Sequence, residues 1–123
     1  MPKALIIDDS RSMRMIVGRT ARELGFDVVE AANGREALEA LAREPEVALI
    51  LCDWNMPVMN GLEFIQAVRA DTRYSSAQVV MVTTETEVEQ MVRALEAGAN
   101  EYVMKPFTRE TIGEKLRIIG AVH

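Results

Sequence analysis

The chain has 123 residues, of which 49% are hydrophobic, and a formal net charge of −5 from 14 basic and 19 acidic residues. This length fits a single domain, residues 1–123. The acidic balance argues against a nucleic-acid partner, and the apolar runs are too short to cross a bilayer. A single cysteine, Cys52, excludes an intramolecular disulfide, and a single histidine, His123, argues against histidine-based catalysis or metal binding.

Five short apolar runs with strand character alternate with amphipathic stretches along the chain. The first ten residues, MPKALIIDDS, do not have the pattern of a secretory signal, so we expect a cytoplasmic protein. The five runs are KALIID (3–8), DVVEA (27–31), ALILCD (48–53), QVVMVT (78–83) and EYVMK (101–105). The first, third and fourth runs are almost continuously apolar, which is typical of strands covered on both faces.

The stretches between the runs, and the one after the last, show helical spacing of apolar residues. Their predicted buried positions are Met13, Ile16, Val17 and Leu24; Ala37, Leu38 and Leu41; Ile65 and Val68; Val92 and Leu95; and Ile112, Leu116 and Ile119. The predicted capping pairs are Asn33 with Glu36, Asn60 with Glu63, and Thr86 with Glu89. Gly25 and Gly98 are predicted helix ends, and the last helix is predicted to begin near Arg109.

A strand followed by a helix, repeated five times, predicts a doubly wound α/β fold with a parallel sheet and helices on both faces. In open sheets of this kind, ligands bind beyond the carboxyl ends of the strands, where the strand order reverses. The residues at those strand ends are therefore the candidates for function.

Polar residues cluster at the predicted strand ends. They are Asp8 and Asp9 after the first run, Asp53 at the end of the third, Thr83 at the end of the fourth, and Lys105 at the end of the fifth. Three carboxylates placed close together repel one another, and a divalent cation relieves that repulsion. Mg²⁺ suits such a site, whereas Ca²⁺ is the weaker alternative because the chain has no EF-hand pattern. A lysine and a hydroxyl suit an anion, so the set indicates phosphoryl transfer.

Four motifs in the same order and spacing resemble the signature segments of the response regulator receiver family. They are IIDDS (6–10), LCDWNMPVMNG (51–61), MVTTE (81–85) and YVMKPF (102–107), and the resemblance covers essentially the whole chain. It implies a flavodoxin-like (βα)5 fold with strand order 2-1-3-4-5. Within the family, DWNMP and KPFT most resemble the single-domain chemotaxis (CheY-like) regulators.

The resemblance implies a role for each acidic residue. Asp53 would be the phosphoacceptor, taking a phosphoryl group from a phosphohistidine of a CheA-like histidine kinase. Asp9 and Asp53 would ligate Mg²⁺ directly, Asp8 through a water, and Asn55 through its backbone carbonyl; Mn²⁺ can substitute. For Asp8 and Asp9, capping of the first helix is a second reading from the residues alone, compatible with the first.

The resemblance also implies a switch. Lys105 and Thr83 would contact the phosphoryl group, and Tyr102 would turn inward into space that Thr83 leaves. The fourth helix, fifth strand and fifth helix would then bind a target. Asn55, Thr84 and Glu85 would tune dephosphorylation, and Thr84, which is bulkier than the residue often found there, would narrow access to Asp53.

Three residues near these motifs carry structural expectations. The family's Lys–Pro bond is commonly cis, although an X-Pro bond in general is more often trans, so the state of the bond between Lys105 and Pro106 is left open. Trp54 is expected to be partly exposed beside the site, where it would report on it by fluorescence. Cys52 is expected to pack in the core.

Several alternatives stay open from the sequence. A haloacid-dehalogenase-type phosphatase would need a second aspartate where Asn55 lies, and a flavodoxin would need a hydroxyl-rich phosphate loop after the first strand. As a receiver, the chain would be a stoichiometric phosphoacceptor and not an enzyme, and a monomer without a membrane partner. Its target would be the flagellar motor switch or another downstream protein, with a phosphatase as a further partner. A phosphate sink or a regulator of pili or development is the alternative.

Overall fold

The computed structural model describes residues 1–84 and 88–122, apart from the side chain of residue 88. Its strands are β1 (Lys3–Ile7), β2 (Asp27–Ala31), β3 (Leu49–Cys52), β4 (Gln78–Thr83) and β5 (Glu101–Met104). Its helices are α1 (Arg11–Glu23), α2 (Gly34–Arg43), α3 (Gly61–Ala70), α4 (Val88–Ala97) and α5 (Arg109–Ile118), with a short 3₁₀ turn at Thr72–Tyr74. The predicted alternation of five strands and five helices is confirmed.

The five strands form one parallel sheet in the order β2-β1-β3-β4-β5. This confirms the predicted flavodoxin-like topology. The strand order reverses between β1 and β3, whose last residues, Ile7 and Cys52, are directly paired. The next residues along the two strands, Asp8 and Asp53, therefore leave the same edge of the sheet side by side.

Three strands are shorter at their carboxyl ends than the sequence predicts. The predicted strands included Asp8, Asp53 and Lys105, whereas the observed strands end one residue earlier in each case. Each of these residues still donates one backbone hydrogen bond to the end of a neighbouring strand: Asp8 to Ala31, Asp53 to Ile7, and Lys105 to Thr83. The backbone is thus fixed where the side chains turn out of the sheet.

The core consists of two apolar layers, one on each face of the sheet. The layer under α2, α3 and α4 includes Leu41, Phe64, Ile65 and Ala94. The opposite layer, under α1 and α5, is built around residues such as Val17, Ala21, Ile112 and Leu116. Burial of both faces explains why the central strands are apolar without alternation.

The helix boundaries follow the predicted capping residues where these are described. Asn60 and Glu63 form the reciprocal capping box at the start of α3. The Asn33 side chain likewise accepts from the Glu36 amide. At α1 the cap is Ser10 and not Asp8 or Asp9. Thr86, the predicted cap of the fourth helix, lies outside the described residues.

The predicted buried face of α1 is partly wrong. Ile16 is 52% exposed, and the helix faces the core through Val17, Thr20 and Ala21. Thr20 tolerates this position because its hydroxyl donates a hydrogen bond to the Ile16 carbonyl within the helix, which leaves its methyl group free to pack.

The predicted buried face of α4 is also wrong. Val92 and Leu95 are exposed, and Ala94 lies between the helix and the core. A small residue at the contact lets a helix lie close to a sheet, and this orientation turns the two larger residues outward. Two large apolar side chains therefore lie on the surface of α4.

Among the residues that the structure describes, no helix has both the length and the hydropathy needed to traverse a membrane.

Candidate functional site

Three carboxylates meet at the carboxyl edge of the sheet. Oxygen atoms of Asp8, Asp9 and Asp53 all lie within 4.8 Å of one another. Asp8 and Asp53 are buried, with 4% and 7% of their surface exposed, whereas Asp9 is exposed. The structure thus brings together the three acids that the sequence places after two different strands.

The turn that carries Asp8 is held by several polar contacts. One Asp8 carboxylate oxygen accepts the Ser10 backbone N–H at 2.9 Å. The Asp8 backbone carbonyl accepts a 2.7 Å hydrogen bond from the Arg14 guanidinium, which also pairs with Glu30 at 3.2 Å. These contacts fix the turn between β1 and α1, so the position of the carboxylate is set before any ligand binds.

Lys105 reaches into the acidic cluster from the end of β5. Its ammonium donates to Asp8 at 2.9 Å and lies 3.8 Å from an oxygen of Asp53. The peptide bond between Lys105 and Pro106 is cis, which the sequence alone left open. The predicted grouping of Lys105 with the acids is what the structure shows.

The charges of this cluster do not balance. Three carboxylates face one ammonium group, and burial raises the pKa of Asp53 above its ordinary value. The negative charge of Asp8 acts in the same direction, whereas Lys105 and the backbone amides of Trp54 and Asn55 oppose it. An excess of hard oxygen donors with unfavourable mutual repulsion fits a divalent cation, and Mg²⁺ needs only a few such ligands.

The loop after Asp53 is held against the site by Gly61. The Gly61 amide donates to the Trp54 carbonyl at 2.9 Å. A Cβ atom at Gly61 would lie 2.7 Å from the Asp53 carbonyl oxygen and 3.0 Å from the Trp54 Cα, so only glycine fits without movement. Within this loop, Val58 adopts a φ of 70°, a value that β-branched residues rarely take.

Trp54 is buried, and the prediction that it is partly exposed is wrong. Only 8% of its surface is accessible, because the side chain packs into the apolar layer under α2, α3 and α4. Cys52 is fully buried, as predicted, and burial raises the pKa of its thiol. Asn55 and Thr84, in contrast, are exposed, and Thr84 lines the same groove as Lys105.

Two cavities adjoin the cluster. A cavity of about 10 Å³ lies under α4 and is lined by Trp54, Met81, Thr83, Gln90, Met91, Ala94 and Tyr102. An open groove of about 320 Å³ beside Lys105 is lined by Met13, Ile16, Thr84, Lys105, Pro106 and Phe107. Thr83 and Tyr102, the two predicted switch residues, therefore line one and the same cavity.

Tyr102 is half-buried at the edge of the sheet. The Lys115 ammonium lies 5.6 Å from the centroid of its ring. Gln90 on α4 faces the same cavity, and the sequence analysis did not identify it. The sequence carried no signal for Gln90, because it predicted Val92 and Leu95 on the buried face, whereas the observed burial of Ala94, four residues after Gln90, turns Gln90 to that side.

Besides Thr86, two residues that the sequence analysis named cannot be placed. Glu85, predicted to tune dephosphorylation, and His123 lie outside the described residues. Thr83, the last residue of β4, is buried.

Comparisons with known proteins agree with the geometry. Residues 4–117 match the family model of the response regulator receiver domain. The chain is 43% identical over 118 residues to the chemotaxis protein CheY1 of Helicobacter pylori, which covers 95% of both chains. It is 45% identical to a chemotaxis protein CheY homolog of Campylobacter jejuni, covering 93% of this chain and 88% of that one.

A solved structure of a chemotaxis response regulator is also similar to this chain. The chemotaxis response regulator CheY4 of Vibrio cholerae superposes with a TM-score of 0.87 at 41% identity, and the match covers 97% of this chain and 98% of that one. The motifs, the topology and the relatives all point in one direction: the chain belongs to the response regulator receiver family and is a CheY-like member of two-component signalling.

Proposed function

We propose that the chain is a phosphorylation-activated switch that accepts a phosphoryl group on Asp53 from a histidine kinase. The observation that carries this is the buried Asp53 carboxylate, which lies 3.8 Å from the Lys105 ammonium and within 4.8 Å of Asp8 and Asp9. Receivers of this family are signalling proteins, so the phosphoryl group is a signal and is carried one per molecule.

Asp53 is the best nucleophile of the three acids. Asp8 is already engaged by Lys105 and by the Ser10 amide, and Asp9 is exposed to water. Asp53 is buried, and its pKa is raised, so its carboxylate is more basic than an ordinary aspartate. Its backbone is fixed by the bond to Ile7, which aims the side chain out of the sheet.

The transfer balances with the groups present. An oxygen of Asp53 attacks phosphorus, the bond between phosphorus and the kinase imidazole nitrogen breaks, and the imidazole leaves with its electron pair. Lys105 neutralises charge on a phosphoryl oxygen. Asp8, Asp9, Asp53 and the Asn55 backbone carbonyl would hold Mg²⁺, or Mn²⁺ in its place. When bound, that ion supplies further neutralisation of the phosphoryl charge.

The switch then follows as a shift between two states. Thr83 moves toward the phosphoryl group, and Tyr102 turns into the cavity that both residues line. Asn55, Thr84 and Glu85 control how water reaches the phosphorylated Asp53. Thr84 is exposed at the edge of the groove beside Lys105, where its side chain restricts the access of water to Asp53.

The target would bind on the surface formed by α4, β5 and α5. Four large apolar side chains are exposed there: Val92 and Leu95 on α4, Met104 on β5, and Ile118 on α5. Val92 and Leu95, three residues apart, share one face of α4, and exposed apolar groups in such a patch are typical of protein-binding surfaces. Since the relatives are named as chemotaxis proteins, we propose the flagellar motor switch as the target.

The test of phosphorylation is intact-mass spectrometry after incubation with acetyl phosphate, with and without Mg²⁺. We expect one added phosphoryl group on the wild type with Mg²⁺, and none on Asp53→Asn. Asp27→Asn is the matched control, because Asp27 is exposed at the opposite edge of the sheet. Equal labelling of Asp53→Asn and the wild type, or labelling without Mg²⁺, would contradict the proposal.

The test of the target is binding of the phosphorylated protein to a motor-switch peptide. We expect Leu95→Asp to weaken this binding at least tenfold, while Met15→Asp, at an exposed position on α1, leaves it unchanged. A wild type that is phosphorylated and yet ignores the peptide would favour a phosphate sink or a regulator of another pathway.

A further inference from the structure

Gln90 presents an unpaired acceptor to the cavity under α4. Its side-chain oxygen is buried and has no hydrogen-bond partner among the residues that the structure describes. Such atoms are rare in folded proteins, because a buried acceptor has lost its bonds to water without a replacement. The position therefore calls for a donor, either from water or from another conformation of the protein.

The cavity limits which donors are available. Its volume of about 10 Å³ is at the lower limit for a single water molecule. The other lining residues that carry a donor in their side chain are Trp54, Thr83 and Tyr102. Trp54 is fixed in the apolar layer and Thr83 already has a polar interaction. Tyr102 is half-buried on the edge strand and lines the cavity, so its hydroxyl is the remaining candidate donor.

We propose that Gln90 is the acceptor for the Tyr102 hydroxyl when the ring turns inward, and that it positions the ring in the activated state. This inference rests on the proposed function, because phosphorylation draws Thr83 away and opens the space for the ring. It assigns Gln90 opposite effects in the two states. The unpaired oxygen is unfavourable when the ring is outward, and the same oxygen stabilises the ring when it is inward.

The test variant is Gln90→Met, which keeps the length of the side chain and removes the acceptor. Gln66→Met, the same replacement at an exposed position of α3, is the control. The chain has two tyrosines, so NMR of protein labelled with ¹³C in the tyrosine rings reports Tyr102 directly, with the buried Tyr74 as internal reference. Spectra are recorded with and without beryllofluoride, a phosphoryl analogue, in the presence of Mg²⁺.

We expect Gln90→Met to lower the ratio of inward to outward Tyr102 about fivefold, the usual effect of one hydrogen bond. Its thermal stability without the analogue should equal or exceed that of the wild type, which a merely structural role of Gln90 would not produce. An unchanged ratio would overturn the inference and leave water as the partner of Gln90.

A double-mutant cycle with Tyr102→Phe isolates the hydroxyl. Beryllofluoride affinity, followed by Trp54 fluorescence, should fall with Gln90→Met in the wild-type background and remain unchanged in the Tyr102→Phe background. An equal fall in both backgrounds would overturn the inference. Failure of the wild type to bind the analogue or to gain a phosphoryl group counts against the proposed function instead, and the ring ratio in the unmodified proteins then decides the role of Gln90.

Discussion

Arg69 and Lys105 are both partly buried cations, and they lie at opposite edges of the sheet. At the amino edge, the Arg69 guanidinium on α3 donates to the backbone carbonyls of Gly98 at 3.0 Å and Ala77 at 2.8 Å, and to the Asn100 side chain at 2.9 Å. At the carboxyl edge, Lys105 faces the carboxylates of Asp8 and Asp53.

The partners of the two cations differ in charge. Those of Arg69 are neutral and fixed, and burial alone lowers the pKa of its guanidinium. Those of Lys105 are carboxylates, and the three acids at that edge outnumber it. Burial with neutral dipoles on all sides gives a structural contact, whereas burial with uncompensated like charges gives a place where a ligand relieves repulsion. The comparison predicts that breaking the first costs stability, while breaking the second costs function.

The largest effect is expected from Arg69→Met. Loss of the guanidinium leaves partly buried carbonyl oxygens at Gly98 and Ala77 without their donor, and we expect the free energy of unfolding to fall by about 3 kcal/mol. Urea denaturation followed by Trp54 fluorescence measures this. The variant should still accept a phosphoryl group on Asp53 at low temperature.

The matched control is Arg73→Met. Arg73 is exposed and pairs with Asp71 only two residues away, so the urea midpoint should stay unchanged. If Arg69→Met were as stable as Arg73→Met, the Arg69 guanidinium would not stabilise the amino edge of the sheet. The proposed difference between Arg69 and Lys105 would then be contradicted for Arg69.

The second effect concerns the glycine that joins the site to the core. In Gly61→Ala the new methyl group meets the Asp53 carbonyl and the Trp54 Cα, both backbone atoms that cannot move cheaply. We expect the free energy of unfolding to fall by about 2 kcal/mol, and phosphorylation by acetyl phosphate to slow, because Asp53 is displaced. Urea denaturation measures the free energy of unfolding, and the rate of mass increase with acetyl phosphate measures phosphorylation.

Gly18→Ala is the control for Gly61→Ala. Gly18 lies inside α1, and a Cβ there meets Val28 at an ordinary 3.5 Å. Alanine is the better helix former, so this variant should be more stable by up to about 1 kcal/mol, with unchanged phosphorylation. A stable, normally phosphorylated Gly61→Ala would show that the loop after Asp53 adapts freely.

The two edges also differ in how far they could be predicted from the sequence. The acidic edge was predictable because Asp8, Asp53 and Lys105 end apolar runs, and parallel strands bring their ends together. Arg69 was not, because its partners lie up to 31 residues away and three of them are backbone carbonyls that carry no sequence signal. From the sequence alone, a single arginine on a helix is predicted to be exposed to solvent. Only the positions of the surrounding loops show that Arg69 is partly buried.

Helix rotation was the other feature that the sequence did not determine. Ile16 and Val92 fit a helical period but face outward, because small residues beside them allow α1 and α4 to lie closer to the sheet. The burial of Trp54 follows from packing against residues of other elements. Periodicity identifies a helix, whereas the contacts between elements decide which of two adjacent stripes is buried.

The smallest effect is expected from Asp53→Asn, and its sign is opposite to those of Arg69→Met and Gly61→Ala. Because the pKa of Asp53 is raised in the folded protein, the native state holds the proton more tightly than the unfolded state. The free energy of unfolding therefore falls as pH rises from the ordinary pKa of an aspartate through the raised value. Asparagine lacks this titration, so without Mg²⁺ the variant should be more stable at neutral pH, by about 1 kcal/mol or less.

Urea denaturation of Asp53→Asn and the wild type at about pH 4 and about pH 7 tests this, because the two proteins differ only in the group at position 53 and in its effect on the charges beside it. The stability advantage of the variant should be larger at neutral pH, and added Mg²⁺ should reduce or reverse it, since a ligand stabilises only the protein that binds it. If the stability advantage of Asp53→Asn over the wild type were independent of pH, the negative charge of Asp53 would not be what destabilises the carboxyl edge. If Mg²⁺ stabilised both proteins equally, the cation would be held without Asp53, and the contrast with the neutral surroundings of Arg69 would have to rest on Asp8 and Asp9 alone.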